Sequence, residues 1–229
     1  MKVICFDLDD TLCNLWEGET IAKFRLRERI AEISEVPEDI VGRVYDVAWA
    51  QIKQLYMDMV ADGLGEREIR TIHINKVLEE LGTDKGEPET LAELHMETML
   101  ENMLVFPDAE HVVKKLNEKY VISMITNGPI DLQWEKINRL GFKEEFQEII
   151  ISQELGYHKP SKVIFDEMAK ITGSQPEEIV YIGNDYRKDI MGAHGAGWRT
   201  VWVNRKDEEP GEIQPDWTIK ELSELLEIF

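Results

Sequence analysis

Apolar residues follow two different rhythms along this chain. Near the N-terminus, Val3-Ile4-Cys5-Phe6 is apolar without interruption, and similar short runs return at 120–125, 148–152, 179–182 and 200–203. Runs of this length and purity predict strands buried on both faces, as in a parallel sheet. Between about 17 and 103 no convincing strand pattern occurs, and apolar residues recur at helical spacing instead. Ile21, Phe24, Ile30 and Ile33 predict one helix face. Pro37-Glu38-Asp39 opens a second helix, with Pro in the first turn and acids matching the helix dipole. It carries Val44, Val47, Ile52, Leu55 and Met59 as far as the Gly63/Gly65 break. Helices at 67–81, stopped by Gly82, and 87–103 follow, the latter with Leu91, Leu94, Met99 and Met103. After residue 107 the strand-like runs alternate with amphipathic segments, among them 131–140 and 161–171. That alternation predicts a doubly wound parallel α/β sheet. The expected organisation is an α/β core of residues 1–16 and 104–229, with an all-helical domain of residues 17–103 inserted after the first strand.

Composition narrows the function classes. With 229 residues and a hydrophobic fraction of 43%, the chain can build a full core. A net charge of −20 argues against a nucleic-acid partner, which needs a basic surface. A small phosphorylated molecule can still bind where a few cations focus the local field. No apolar run is long enough to cross a membrane, and the N-terminus lacks a signal-peptide pattern, so a cytoplasmic location is expected. Two cysteines, Cys5 and Cys13, are too few for a disulfide scaffold and read most simply as small core residues.

The informative chemistry sits where the apolar runs end. The first run leads into Asp7-Leu8-Asp9-Asp10-Thr11. Three acids at a strand end repel one another and call for a partner or a cation. Open α/β sheets place ligands at that end of their strands. A helix cap would explain only one such residue. A calcium loop fails, because its sixth and twelfth places, which want Gly and Glu, hold Leu12 and Gly18. The second run ends in Thr126-Asn127-Gly128, either an anion-binding turn or a plain Asn-Gly turn. Lys159-Pro160 opens a helix, and a lysine there opposes the helix dipole unless an anion holds it. The fourth run ends in Gly183-Asn184-Asp185, with Asp189 four residues on.

In this order the four segments resemble the motifs of the haloacid dehalogenase-like (HAD) superfamily, most of whose members are phosphatases. The resemblance covers most of the chain and implies a Rossmann-like core with a C1-type helical cap. It implies Asp7 as nucleophile, forming an aspartyl-phosphate, and Asp9 as general acid and then general base. Thr126, Asn127 and Lys159 would hold the phosphoryl group. Mg²⁺ would bridge Asp7, the Asp9 backbone carbonyl, the phosphate and Asp185, with Asp189 as a further carboxylate or behind the ligands. Asn184 stands where many members have Asp. It would contribute its carbonyl oxygen or hydrogen-bond a metal-bound water. Dehalogenase members lack an acid at the Asp9 place, because a halide leaving group needs no proton. The implied function is hydrolysis of a small phosphate monoester. A phosphomutase and a non-catalytic phosphate- or metal-binding relative are the alternatives. The helical domain would select the substrate. Lys23/Arg27 or Arg25/Arg29 would bind a second anionic group, or simply form a solvated face, which is the commoner case. Trp16 and Trp49 would line the pocket or pack internally.

Overall fold

A computed structural model describes residues 1–229. Six parallel strands form one sheet: β1 (Val3–Phe6), β2 (Val121–Thr126), β3 (Glu148–Ile151), β4 (Ile179–Gly183), β5 (Arg199–Val203) and β6 (Trp217–Ile219). Their order is β3-β2-β1-β4-β5-β6. The α/β expectation is met, with β6 as a sixth strand that its three residues gave little pattern to reveal. All four residues of β1 are buried, as its unbroken apolar run requires. β1 lies between β2 and β4, pairing Phe6 with Met124 on one side and with Ile182 on the other. The chain winds outward from β1 through β2 and β3, then returns to lay β4 on β1's other edge. The reversal falls between β1 and β4, the place where such sheets leave a crevice at their carboxyl ends.

Contacts divide the chain into two compact units, 1–14 with 105–229, and 15–104. The first holds the sheet. Its core includes Val3, Cys5, Ile125, Tyr181, Phe165 and Trp198. The second consists of four helices, α1 (Leu15–Ser34), α2 (Glu38–Ala61), α3 (Glu66–Glu80) and α4 (Pro88–Glu101). Here the predicted faces need correction. α1 starts at Leu15, and it buries Gly18, Ala22, Leu26 and Ile30, leaving Phe24 exposed. α2 buries Val41, Tyr45, Ala48 and Ile52, while Val47 and Leu55 face solvent. In both helices the buried stripe includes small residues, Gly18 and Ala22 in α1 and Gly42 and Ala48 in α2. Gly and Ala permit close helix approach, and a pattern of large apolar residues misses them. A Cβ on Gly18 would collide with the Met99 carbonyl of α4. Three of the four cations of α1 are paired within its own unit: Lys23 with Asp46, Arg27 with Glu38, and Arg29 with Glu32. No helix is long and apolar enough to cross a membrane.

Candidate active site

A cavity of about 160 Å³ opens at the carboxyl ends of β1, β2 and β4, lined by Asp7, Asp9, Asp10, Thr126, Asn127, Lys159, Asn184, Asp185, Lys188 and Asp189. Asp7, Asp9, Thr126, Asn127, Lys159, Asn184, Asp185 and Asp189, drawn from all four segments, are therefore in one place. Asp7 continues the β1 ladder, its N–H donating to the Ile182 carbonyl at 2.9 Å. Its side chain is pushed into the cavity from a rigid, buried strand.

Lys159 is almost completely buried, and all three of its N–H donors are used. Its Nζ lies 2.6 Å from Asp7 Oδ1, 2.8 Å from Asp189 Oδ1 and 2.8 Å from the Tyr181 hydroxyl. Tyr181 in turn donates to the Ile125 carbonyl. Burial opposes the Lys159 charge, but Asp189 and Asp7 outweigh it and hold the ammonium above its ordinary range. One cation then serves two carboxylates. Burial pushes the Asp7 carboxyl up to about 7, Lys159 pulls it down, and the nearby Asp189 and Asp9 raise it. Asp189 reaches its position because β4 ends in Gly183: a Cβ there would collide with the Asp189 carboxylate. That contact gives the glycine of this segment its physical reason.

The Asn127 side chain is bonded to the Lys159 backbone. Its amide donates to the Lys159 carbonyl at 3.0 Å, and its Oδ1 accepts from the Lys159 N–H at 2.9 Å. The expected phosphate ligand thus spends its side chain on placing the lysine.

Asp185 also has local work. Its carboxylate accepts from the N–H groups of Arg187 and Lys188, at 3.0 and 2.8 Å, and pairs with Lys188 Nζ at 3.1 Å. Burial raises its pKa, but the Lys188 and Arg187 contacts outweigh this and hold it below the usual carboxylate range. It caps the short helical segment Tyr186–Met191. Asn184 Oδ1 instead accepts from the Thr11 hydroxyl at 3.2 Å, and the same hydroxyl lies 3.4 Å from Asp7 Oδ2. Trp202 Nε1 fixes the Asn184 carbonyl at 2.9 Å. The amide oxygen next to Asp7 is therefore that of Asn184, while Asp185 is turned to its own helix.

Asp9 is held from a direction that the motif reading missed. Lys136 Nζ lies 2.7 Å from both of its oxygens, and Gln133 Nε2 lies 3.3 Å from one of them. Gln133 also donates to the Thr126 hydroxyl oxygen in a short contact. Both residues come from the helix α5 (Ile130–Arg139), whose buried residues are Leu132, Gln133, Lys136 and Ile137. A lysine and a glutamine on the apolar stripe of a ten-residue helix are the signal that could have exposed them, because such groups are seldom fully buried unless paired.

Five carboxylates against two ammonium groups line the cavity, so a phosphate dianion would be repelled without another cation. No three Asp, Glu, His or Cys side chains form a metal cage by themselves. The side-chain donors at hand include Asp7 and the Asn184 amide oxygen. That all-oxygen set with few carboxylates suits a hard cation that keeps several waters.

A family model described as haloacid dehalogenase-like hydrolase matches residues 1–197. The glyceraldehyde 3-phosphate phosphatase of Methanopyrus kandleri is 32% identical to this chain, covering 100% of it and 97% of the relative. The phosphoserine phosphatase of Thermus thermophilus is 30% identical, covering 98% of each chain. Among solved structures, a HAD phosphatase from Thermococcus onnurineus superposes with a TM-score of 0.73 at 23% identity, covering 100% of this chain and 97% of its own. A 2-haloacid dehalogenase from Pseudomonas syringae gives 0.74 at 26% identity, over 100% and 97% of the two chains.

Proposed function

The chain belongs to the haloacid dehalogenase-like hydrolase family, and from that premise we propose that this phosphoric monoester hydrolase acts on a small phosphorylated metabolite through an aspartyl-phosphate on Asp7. The observation that carries the proposal is the pair Asp7 and Asp9, two residues apart at the end of β1, each on its own buried lysine and both lining one cavity. One carboxylate is set to attack and the other to move a proton. An Asp7 oxygen attacks phosphorus in line, the bond to the leaving oxygen breaks, and Asp9 gives that oxygen its proton. Asp9 then takes a proton from water as the water attacks phosphorus, which releases inorganic phosphate and restores Asp7. Lys159 offsets charge on Asp7, and Thr126 and Asn127, which line the cavity, would hold the phosphoryl oxygens.

Asp7, the Asp9 carbonyl and Asn184 Oδ1 would hold Mg²⁺. Asp185 comes behind Asn184 in this role, because its carboxylate caps Tyr186–Met191. The ion would supply positive charge against the dianion and the crowded acids. Asp9 favours ester hydrolysis over dehalogenation, since a departing halide needs no proton. The helical unit of residues 15–104 is proposed as the substrate-selecting cap. The sugar-phosphate and amino-acid-phosphate substrates named for the relatives set the chemical range to screen.

The test is phosphate release from a panel of such esters, with Mg²⁺ and with EDTA, for wild type and Asp7→Asn. Release that needs Mg²⁺ and disappears in Asp7→Asn is expected. Release that persists in Asp7→Asn would overturn the covalent route. An isomerised ester in place of free phosphate would identify a mutase.

A further inference from the structure

We propose that Lys136 and Gln133 form a positioning device on α5 that aims the Asp9 carboxyl and ties it to the phosphoryl-binding Thr126. The inference rests on the phosphatase reading above and assigns roles that the four motifs leave blank.

A lysine in a buried position needs a reason, since its ammonium loses hydration there. Lys136 keeps only 1% of its side-chain exposure, and its one ion-pair partner is Asp9, at 2.7 Å to each oxygen. Fastening a helix to a sheet would need only apolar groups, which the neighbouring Leu132 and Ile137 supply. The pair is instead directed at the proton-transfer group. Two contacts from one ammonium, plus the Gln133 amide at 3.3 Å, fix both the rotamer and the plane of the carboxyl. Gln133 reaches Asp9 and Thr126 with the same Nε2. It spans the group that handles the leaving oxygen and the group beside the phosphoryl oxygens. Positions i and i+3 of a helix lie on one face, so a single helical turn sets both residues. The firmness comes from α5 itself, which is anchored by Leu132 and Ile137 and carries Asp131 in its first turn and Lys136 and Arg139 in its last.

Positioning of this kind matters only as far as the proton matters. An alkyl phosphate leaves as a poorly stabilised alkoxide and depends on the acid. A p-nitrophenyl ester leaves as a stabilised phenolate and depends on it little. General acid–base catalysis contributes about 10²–10⁴-fold, and loss of aim forfeits part of that. The experiment measures kcat and KM on a simple alkyl phosphate and on p-nitrophenyl phosphate for wild type, Lys136→Met, Gln133→Met, Asp9→Asn and Asp9→Asn/Lys136→Met. Lys136→Met is expected to lower kcat on the alkyl ester by about ten- to a hundredfold, and on the nitrophenyl ester by about threefold or less. KM should hardly change. In the Asp9→Asn background the same replacement should cost almost nothing further, because Lys136 acts through Asp9. Gln133→Met should show a smaller loss of the same ester dependence, and it carries the test if Lys136→Met fails to fold.

Equal losses on both esters, or a full additional loss in the Asp9→Asn background, would overturn the assignment and leave Lys136 a packing residue. If Asp9→Asn is ester-selective and the α5 variants are not, the inference falls while the phosphatase reading stands. If wild type hydrolyses neither ester nor any member of the metabolite panel, both fall together.

Discussion

Each of the two units buries a cation between two carboxylates, yet the arrangements are chemically opposite. In the helical unit, Arg70 lies 2.6 Å from Glu66 through Nε and 3.0 Å from Glu19 through Nη2, with its guanidinium 4.3 Å from the Trp49 ring centroid. Glu66 also accepts from the Tyr56 hydroxyl. Although burial pushes Glu19 up, Arg70 and His95 hold it well below the usual carboxylate range. This is a closed network in which cation and anions satisfy one another. In the α/β unit, Lys159 pairs with Asp7 and Asp189, and Asp7 keeps its second oxygen against a cavity with only the 3.4 Å Thr11 contact. Its carboxyl is pushed up to about 7, not down. Burial and charge density do not tell a structural cluster from a reactive one. The distinguishing feature is a carboxylate left under-compensated and facing open space, which is how functional sites hold perturbed groups.

The contrast can be broken most directly by removing one charged partner in each unit. Asp7→Asn should lower turnover by about 10⁴-fold or more, since it removes the proposed nucleophile. In the metal-free protein it should also raise stability by about 1–2 kcal/mol, because a crowded acid is removed. Thermal unfolding in EDTA checks the second part. A fall in stability would show that Asp7 is as well satisfied as the acids around Arg70. Next in size is Arg70→Met, which leaves Glu66 buried and Glu19 half-buried without their cation. It should cost about 3–5 kcal/mol in urea unfolding, and a cost below about 1 kcal/mol would refute the closed network.

A smaller effect concerns pH. His73 is fully buried, with its Nε2 3.2 Å from the Tyr45 carbonyl. Burial lowers its pKa to about 4, helped by Arg70 and His95. The unfolded chain therefore binds a proton below about 6.5 that the folded chain refuses until about pH 4. Stability from this group is complete above about 6.5 and is lost as pH falls toward 4, by about 1–3 kcal/mol. Urea unfolding of wild type and His73→Gln across that window should show the slope in wild type and its flattening in the variant.

The smallest effect sharpens the reactive side. Arg205 stacks 3.7 Å from the Phe106 ring centroid and donates to the Asp10 and Thr11 carbonyls at 2.7 and 3.2 Å. It braces a turn in which Asp10 has the left-handed φ of 56°, a conformation that costs a non-glycine residue energy. Arg205→Ala should lower kcat by less than about tenfold, or roughly 1 kcal/mol. No change in kcat would mean that the turn holds itself.

The sequence alone determined the strand-and-helix alternation, the helical insertion and the four site segments, because each is a local signal. An apolar run marks a buried strand wherever it sits, and acids or glycine at its end mark a strand end put to use. Tertiary structure decided how those residues share their work. Asn127 and Asp185 line the cavity yet commit their side-chain hydrogen bonds to neighbours, Asn127 to the Lys159 backbone and Asp185 to the Arg187 and Lys188 N–H groups. Asn184 takes the place beside Asp7 through Thr11, a partner 173 residues away in sequence. Lys136 and Gln133 carry meaning only once α5 is laid against the end of β1, 127 and 124 residues from Asp9. In the helical unit, Gly18, Ala22, Gly42 and Ala48 are buried while the predicted Phe24, Val47 and Leu55 are exposed, because close helix contact rewards fit over size. A linear pattern records which residues are buried or charged. Which charge neutralises which is settled by distances of a few ångström, and only the folded chain sets those.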